Sequence, residues 1–135
     1  MTIEELNILK KKASLDLTIT EKNALQKTLE IPNLYQIYLS YFIKESMDLK
    51  KMKVNLERMY GEKFKYYKED YGRELNRGEI EHYIDADKEY HEKNQEYQFQ
   101  ELVCKYLEEI TQRMKSLSFD LKNFIDLKTF LGGGK

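Results

Sequence analysis

Hydrophobic positions recur at helical spacing along nearly the whole chain. Near the start, Thr2-Ile3-Glu4-Glu5 places Thr at an N-cap with Glu three residues on, a capping box that predicts a helix through about Ala13. Thr18-Ile19-Thr20-Glu21 repeats the pattern and predicts a second short helix ending near Leu29, with residues 14–18 as an extended connector. Ile31-Pro32 predicts a boundary, since a residue before Pro is disfavoured in the α region and Pro suits a first helical turn. From Asn33 onward, Tyr35, Tyr38, Phe42, Leu49, Met52, Leu56, Met59 and Tyr66 lie on a ladder of three- and four-residue steps, interrupted by Glu45 and Lys63. Such a heptad seam predicts packing against another helix. Unbroken to Tyr71, with Gly61 as a candidate bend, this helix would measure about 57 Å at 1.5 Å per residue. It would overhang a globule of 135 residues, which points to burial against other subunits.

Arg73-Glu74-Leu75-Asn76-Arg77-Gly78, framed by Gly72 and Gly78, reads as a loop. A second long helix is expected from about Glu79. Its first half is acidic (Glu79, Glu81, Asp85, Asp87, Glu89, Glu92, Glu96), and its second half carries the seam Val103, Leu107, Ile110, Met114, Leu117, Leu121 and Phe124. Ser118 reads as the N-cap of a last helix over 119–131, closed by Gly132, Gly133 and Gly134. The expected fold is all-α, with long helices forming a bundle. It is read as one structural unit with two parts: residues 1–78, carrying the long basic helix, and residues 79–135, the C-terminal helical part.

Composition narrows the alternatives. One Pro, and six Gly of which three stand in the tail, leave too little turn chemistry for a β-sandwich or barrel. No run approaches 18 apolar residues and the N-terminus lacks a signal-type apolar region, so a soluble intracellular protein is expected. Cys104 is the lone cysteine, which excludes an internal disulfide framework and a cysteine zinc site.

The net charge of −1 conceals a strong asymmetry. Residues 1–43 are neutral, 44–73 carry +3, 74–109 carry −7 and 110–135 carry +3. Uneven charge of this kind bears on partners rather than on fold.

Catalytic chemistry finds little material. His82 and His91 stand nine residues apart, too far to share a metal on one helix face. Asp85-Ala86-Asp87-Lys88-Glu89 resembles half of a calcium loop, but Tyr90 occupies the position that needs Gly. Gly132-Gly133-Gly134-Lys135 has no following helix to hold a phosphate. Cys104 has no basic cluster beside it to lower its pKa. No catalytic residue, metal ligand or cofactor is assigned, and an enzyme is not expected.

Binding has better support. Lys44, Lys51, Arg58 and Lys65 are spaced by seven and form a stripe on the long helix. At 100° per residue it points about 140° away from the 49–59 seam, with cations about 10.5 Å apart, a pitch that can track a phosphate chain. Lys50, Lys53, Lys63 and Lys68 add to the field, and Tyr60, Phe64, Tyr66, Tyr67 and Tyr71 are interleaved. Single-stranded nucleic acid asks for this combination, because phosphates need cations and unstacked bases need a π-face. The competing reading is that the aromatics form core and the lysines keep a long helix solvated.

Several segments, in order, resemble the UvsY family of bacteriophage recombination mediators. They are the opening Glu4-Glu5-Leu6 and Lys10-Lys11-Lys12, the Leu29-Glu30-Ile31-Pro32-Asn33-Leu34-Tyr35 entry to the long helix, and Lys63-Phe64-Lys65-Tyr66-Tyr67. Tyr83-Ile84-Asp85-Ala86-Asp87-Lys88, Tyr106-Leu107-Glu108-Glu109-Ile110, Phe119-Asp120-Leu121-Lys122-Asn123 and Lys128-Thr129-Phe130 continue the series. The resemblance implies a non-enzymatic, mostly helical protein acting in the host cytoplasm as a closed ring of about six or seven subunits. It implies binding to single-stranded DNA, contact with the single-strand-binding protein, and loading of a RecA-like recombinase. The oligomerisation segment maps onto the seam from Val103 to Phe124. Of the family's two basic DNA contacts one maps onto Lys63; the other falls on Gly61, so Arg58 and Lys65 are the substitutes. The DNA-binding set expected here is Lys44, Lys51, Arg58, Lys63, Lys65, Lys68, Tyr66 and Tyr67. A helical scaffold without DNA affinity is the alternative.

Overall fold

The computed structural model describes residues 1–133, and among these every regular element is helical. Helix α1 (Ile3–Leu17) and helix α2 (Ala24–Lys65) are followed by a π-helical turn (Tyr66–Asp70), helix α3 (Arg77–Ala86) and helix α4 (Lys88–Leu131). The chain forms two compact units, Met1–Glu45 with Val103–Lys135, and Ser46–Leu102. Both long helices contribute to each unit. No helix among the described residues is long and apolar enough to cross a membrane.

The first unit is built on three amphipathic faces. Thr2 caps α1 through the expected box, its hydroxyl accepting from the Glu5 N–H at 3.1 Å while Glu5 accepts from the Thr2 N–H at 3.0 Å. Leu6, Leu9 and Ala13 of α1 are buried, as are Ile31, Leu34 and Tyr38 of α2 and Val103, Leu107, Met114, Leu117 and Leu121 of α4. Two polar contacts tie α2 to the end of α1. Buried Lys27 donates to the Asp16 carbonyl at 2.8 Å, satisfying one of the carbonyls a helix C-terminus leaves open, and the Tyr38 hydroxyl donates to Asp16 Oδ2 at 2.7 Å. Burial, reinforced by the Asp16 carboxylate, pushes the Tyr38 hydroxyl well above its ordinary range.

Three local expectations are corrected. The second cap is Thr20, not Thr18: its hydroxyl accepts from the Asn23 N–H at 3.2 Å and Asn23 Oδ1 accepts from the Thr20 N–H at 2.7 Å. Pro32 lies inside α2 rather than at its start. An interior proline removes one backbone bond and costs about 3 kcal/mol, but stopping there would pull Ile31, Leu34 and Tyr38 out of register with the core they share, and their burial wins. Nor does Ser118 open a new helix. Ser116 and Ser118 donate back to the Arg113 and Lys115 carbonyls at 3.1 and 3.2 Å, and α4 runs on because Leu117 and Leu121 continue the buried stripe. Helix α4 ends at Leu131, followed by Gly133 with φ +112°; Gly134 and Lys135 of the expected glycine tail lie outside the described residues.

Along the α4 seam, Val103, Leu107 and Met114 are 0% exposed and Leu117 and Leu121 1%, so these five residues form part of the chain's own core. Ile110 and Phe124 are half-buried. The exposed apolar residues of this unit include Ile3, Ile8 and Leu15 on α1, Leu25, Leu29 and Ile43 on α2, and Phe119, Leu127, Phe130 and Leu131 on α4.

Leu107→Ala is therefore expected to destabilise the individual chain by roughly 2–5 kcal/mol. Denaturant unfolding should show this loss to the same extent at low and high protein concentration.

Candidate nucleic-acid interface

In the second unit the chain changes direction after α2. The helix widens into the π turn Tyr66–Asp70, and Gly72 at φ +83° then takes a left-handed conformation that a side chain would strain. Asn76 caps α3 through a box with Glu79, at 2.8 and 3.2 Å. Tyr67, Leu75, Ile80 and Ile84 form the buried cluster, with Tyr60, Phe64, Tyr83 and Tyr90 packed against it.

The second long helix expected from Glu79 is in fact two helices. Asp87 separates α3 from α4 in an extended conformation, φ −66° and ψ 124°. Its Oδ1 accepts from the Tyr90 N–H at 3.1 Å, capping α4, and its Oδ2 accepts from the Tyr67 hydroxyl at 2.8 Å. Lys63 Nζ lies 3.3 Å from the same Oδ2 and 2.9 Å from Glu89 Oε2. Burial works to raise the Asp87 carboxyl, but the bonds from Tyr90, Tyr67 and Lys63 together hold it below its ordinary value of 3.8. The Glu89 bond, with Asp87 behind it, raises the Lys63 ammonium, and burial followed by the Asp87 bond pushes the Tyr67 hydroxyl up to about 12.

This network sorts the expected DNA-binding residues. Lys51, Arg58 and Lys65 are exposed at seven-residue spacing on α2 within this unit, and Lys68 is exposed on the π turn. Among the described residues none of the four makes an ion pair; Arg58 Nη2 donates to Asn55 Oδ1 at 3.2 Å. Lys44 is exposed on the same helix but belongs to the first unit. Lys63 is held by two carboxylates. Tyr66 is 47% exposed, whereas Tyr67 is 9% exposed with its hydroxyl engaged, so its ring is core rather than a free stacking face.

Sequence reading missed Asp87 as a break, because the helical periodicity continues across it; the signal was an Asp in N-cap position before Lys88-Glu89-Tyr90. It named Tyr71 among the interleaved aromatics but did not include it in the expected DNA-binding set, and Tyr71 is exposed beside Tyr66. The 49–59 seam is only half covered: Met52, Leu56 and Met59 line a cleft of about 340 Å³ together with Arg58, Lys93 and Glu96. Among the described residues no group of His, Cys, Asp and Glu is arranged to hold a metal ion.

Within the second unit, α2 thus carries exposed cations at seven-residue spacing, without ion pairs among the described residues, and exposed Tyr66 and Tyr71 follow it. The family model for the recombination, repair and ssDNA binding protein UvsY matches residues 12–134, and the chain belongs to that family. Crystal structures of the bacteriophage T4 recombination mediator protein UvsY share its fold. One covers 98% of this chain and 99% of its own with a TM-score of 0.85 at 17% identity. A second covers 93% and 97% with a TM-score of 0.82 at 17% identity, and a third 90% and 97% with 0.81 at 16%. No sequence match to a curated protein reaches significance.

The Asp87 network gives stability a pH window. A carboxyl held below 3.8 when folded contributes stability above that pH, and the contribution is lost as pH falls through the lower folded value. Tyr67 works in the opposite direction: its contribution is complete below 10 and disappears as pH rises toward about 12. Thermal melts should show both edges. Asp87→Asn should flatten the acid edge and bring the Tyr67 hydroxyl, followed as the part of the tyrosinate absorbance titration that Tyr67→Phe removes, back toward lower pH.

Proposed function

We propose that this protein is a recombination mediator. It binds single-stranded DNA and promotes loading of a RecA-like recombinase onto strands covered by single-strand-binding protein, in phage homologous recombination and repair within the host cytoplasm. The observation that carries this reading is the row of exposed, unpaired cations Lys51, Arg58 and Lys65, with Lys68 and Tyr66 at its end. Membership of a family described by recombination, repair and single-stranded DNA binding supports it, as does the name of the T4 relative. The work is positional and needs no catalysis: a strand held along phosphates is bent, cleared of its coat and offered to the recombinase.

One subunit is a weak ligand for a polyanion, since residues 46–102 carry eleven basic and fourteen acidic side chains. Affinity then comes from repetition. A ring of about six or seven copies presents the row many times to one strand, and each contact after the first is effectively intramolecular. The exposed apolar residues at the end of α4 supply the contact between copies. The same acidic excess favours the competing reading, a helical scaffold without DNA affinity, and the salt dependence of binding separates the two.

Affinity for single-stranded DNA should fall with salt at a log–log slope of about −0.7 for each phosphate neutralised. Arg58→Ala with Lys65→Ala should flatten that slope and leave the assembly mass unchanged. Lys63→Ala should flatten it less, because Asp87 and Glu89 already neutralise this cation, and should instead lower the melting temperature. An unchanged slope in the double variant would place the DNA surface elsewhere; no binding at any salt would favour the scaffold.

Assembly is tested separately. Leu127→Asp with Phe130→Asp should reduce the mass seen by light scattering without unfolding the chain, since both residues are exposed on α4. An unchanged mass would show that these residues do not join the subunits.

A further inference from the structure

The π turn brings together two tyrosines that an α-helix would keep apart. Residues five apart in an α-helix point about 140° away from each other. The i→i+5 bonding of a π turn closes that angle, and the ring centroids of Tyr66 and Tyr71 lie 6.4 Å apart. Both rest on Tyr67, at 5.1 and 5.3 Å, and Tyr67 is itself stacked on Tyr83 at 5.6 Å with 24° between the planes. Tyr71 also packs on Tyr83 at 5.1 Å. Tyr67 is the foundation, buried and fixed by Asp87. Tyr66 and Tyr71 stand above it, 47% and 38% exposed. Lys65, Lys68 and Arg73 are exposed on the same short segment, and among the described residues none makes an ion pair.

Two fixed aromatic rings, set edge to face at 73° among cations without ion pairs, suit a particular ligand. Flat, uncharged π surfaces stack on the rings, and a polyanionic backbone beside them satisfies the cations. Because the tyrosines are already ordered by their neighbours, little side-chain freedom is lost on binding. We infer that Tyr66 and Tyr71 form a stacking site for unpaired nucleobases, with Lys65, Lys68 and Arg73 holding the flanking phosphates. The inference rests on the single-strand reading above and refines it: the base contacts belong to Tyr66 and Tyr71, not to the adjacent pair Tyr66-Tyr67, and Tyr67 positions them. Duplex DNA, whose bases are stacked on one another, cannot use this site.

The test compares two strands with the same number of phosphates, one of oligothymidylate and one of abasic residues, binding to the full-length protein at one low salt concentration. The wild type should bind the thymidine strand about tenfold more tightly. Tyr66→Ala with Tyr71→Ala should abolish this preference while keeping the wild-type salt slope, and Tyr66→Phe with Tyr71→Phe should retain the preference, since the π faces remain. Equal binding of both strands by the wild type, a result that needs no variant, overturns the stacking site and leaves phosphate binding intact. Failure to bind either strand overturns the single-strand reading itself. An alanine variant that loses the salt slope along with the base preference would show the tyrosines to be structural, and would also overturn the site.

Discussion

A single carboxylate organises the second unit. Asp87 accepts one hydrogen bond from the start of α4, one from Tyr67 at the π turn, and the charge of Lys63 on the last turns of α2. A half-buried carboxylate loses part of its hydration and needs partners in return, and here the answering groups come from three separate elements. Removing the carboxylate would leave the Tyr67 hydroxyl without its acceptor and Lys63 with Glu89 alone. The direction of the chain after α2, the placement of the tyrosine cluster and the start of α4 are therefore one problem with one solution.

That solution also determines which cations remain available. Residues 44–73 carry +3 and 74–109 carry −7, so the acidic block could have neutralised the basic helix throughout. Instead the pairing is concentrated on Lys63, while Lys51, Arg58 and Lys65 are free of ion pairs among the described residues. An exposed cation loses little solvation when it meets a phosphate, whereas Lys63 must first surrender two carboxylates. Sequence position alone would rank these lysines alike; the geometry ranks them by what each must give up.

Much of the fold was legible because amphipathic periodicity survives without tertiary context. The Thr2 capping box, the long basic helix and the buried stripe from Val103 to Leu121 are all readable at a spacing of three and four. What misled was local punctuation overruled by packing. Pro32 and Ser118 both carry strong boundary signals, yet each sits among residues whose burial is worth more than the broken bond or competing hydroxyl costs. Asp87 is the converse case: a helix-compatible stretch broken by a side chain whose partners, Lys63 and Tyr67, lie more than a dozen residues earlier. The cationic stripe could be found from spacing, but not that the neighbouring Lys63 is held by Asp87 and Glu89. Nor could the sequence reveal which residues of the α4 seam pack within the chain itself, since an apolar ladder looks the same for either kind of partner.

The π turn shows how the two levels combine. Continuing α2 as an α-helix past Lys65 would send Tyr66 and Tyr71, five residues apart, about 140° away from each other. Widening the helix for one turn lets Tyr67 enter the core and reach Asp87, at the expense of weaker backbone geometry over five residues. Once Tyr67 is buried, Tyr66 and Tyr71 have nowhere to go but outward, side by side on its edges. Their exposure is thus a consequence of core packing and not of a turn left loose, and it places two ordered aromatic rings at the end of the cationic row.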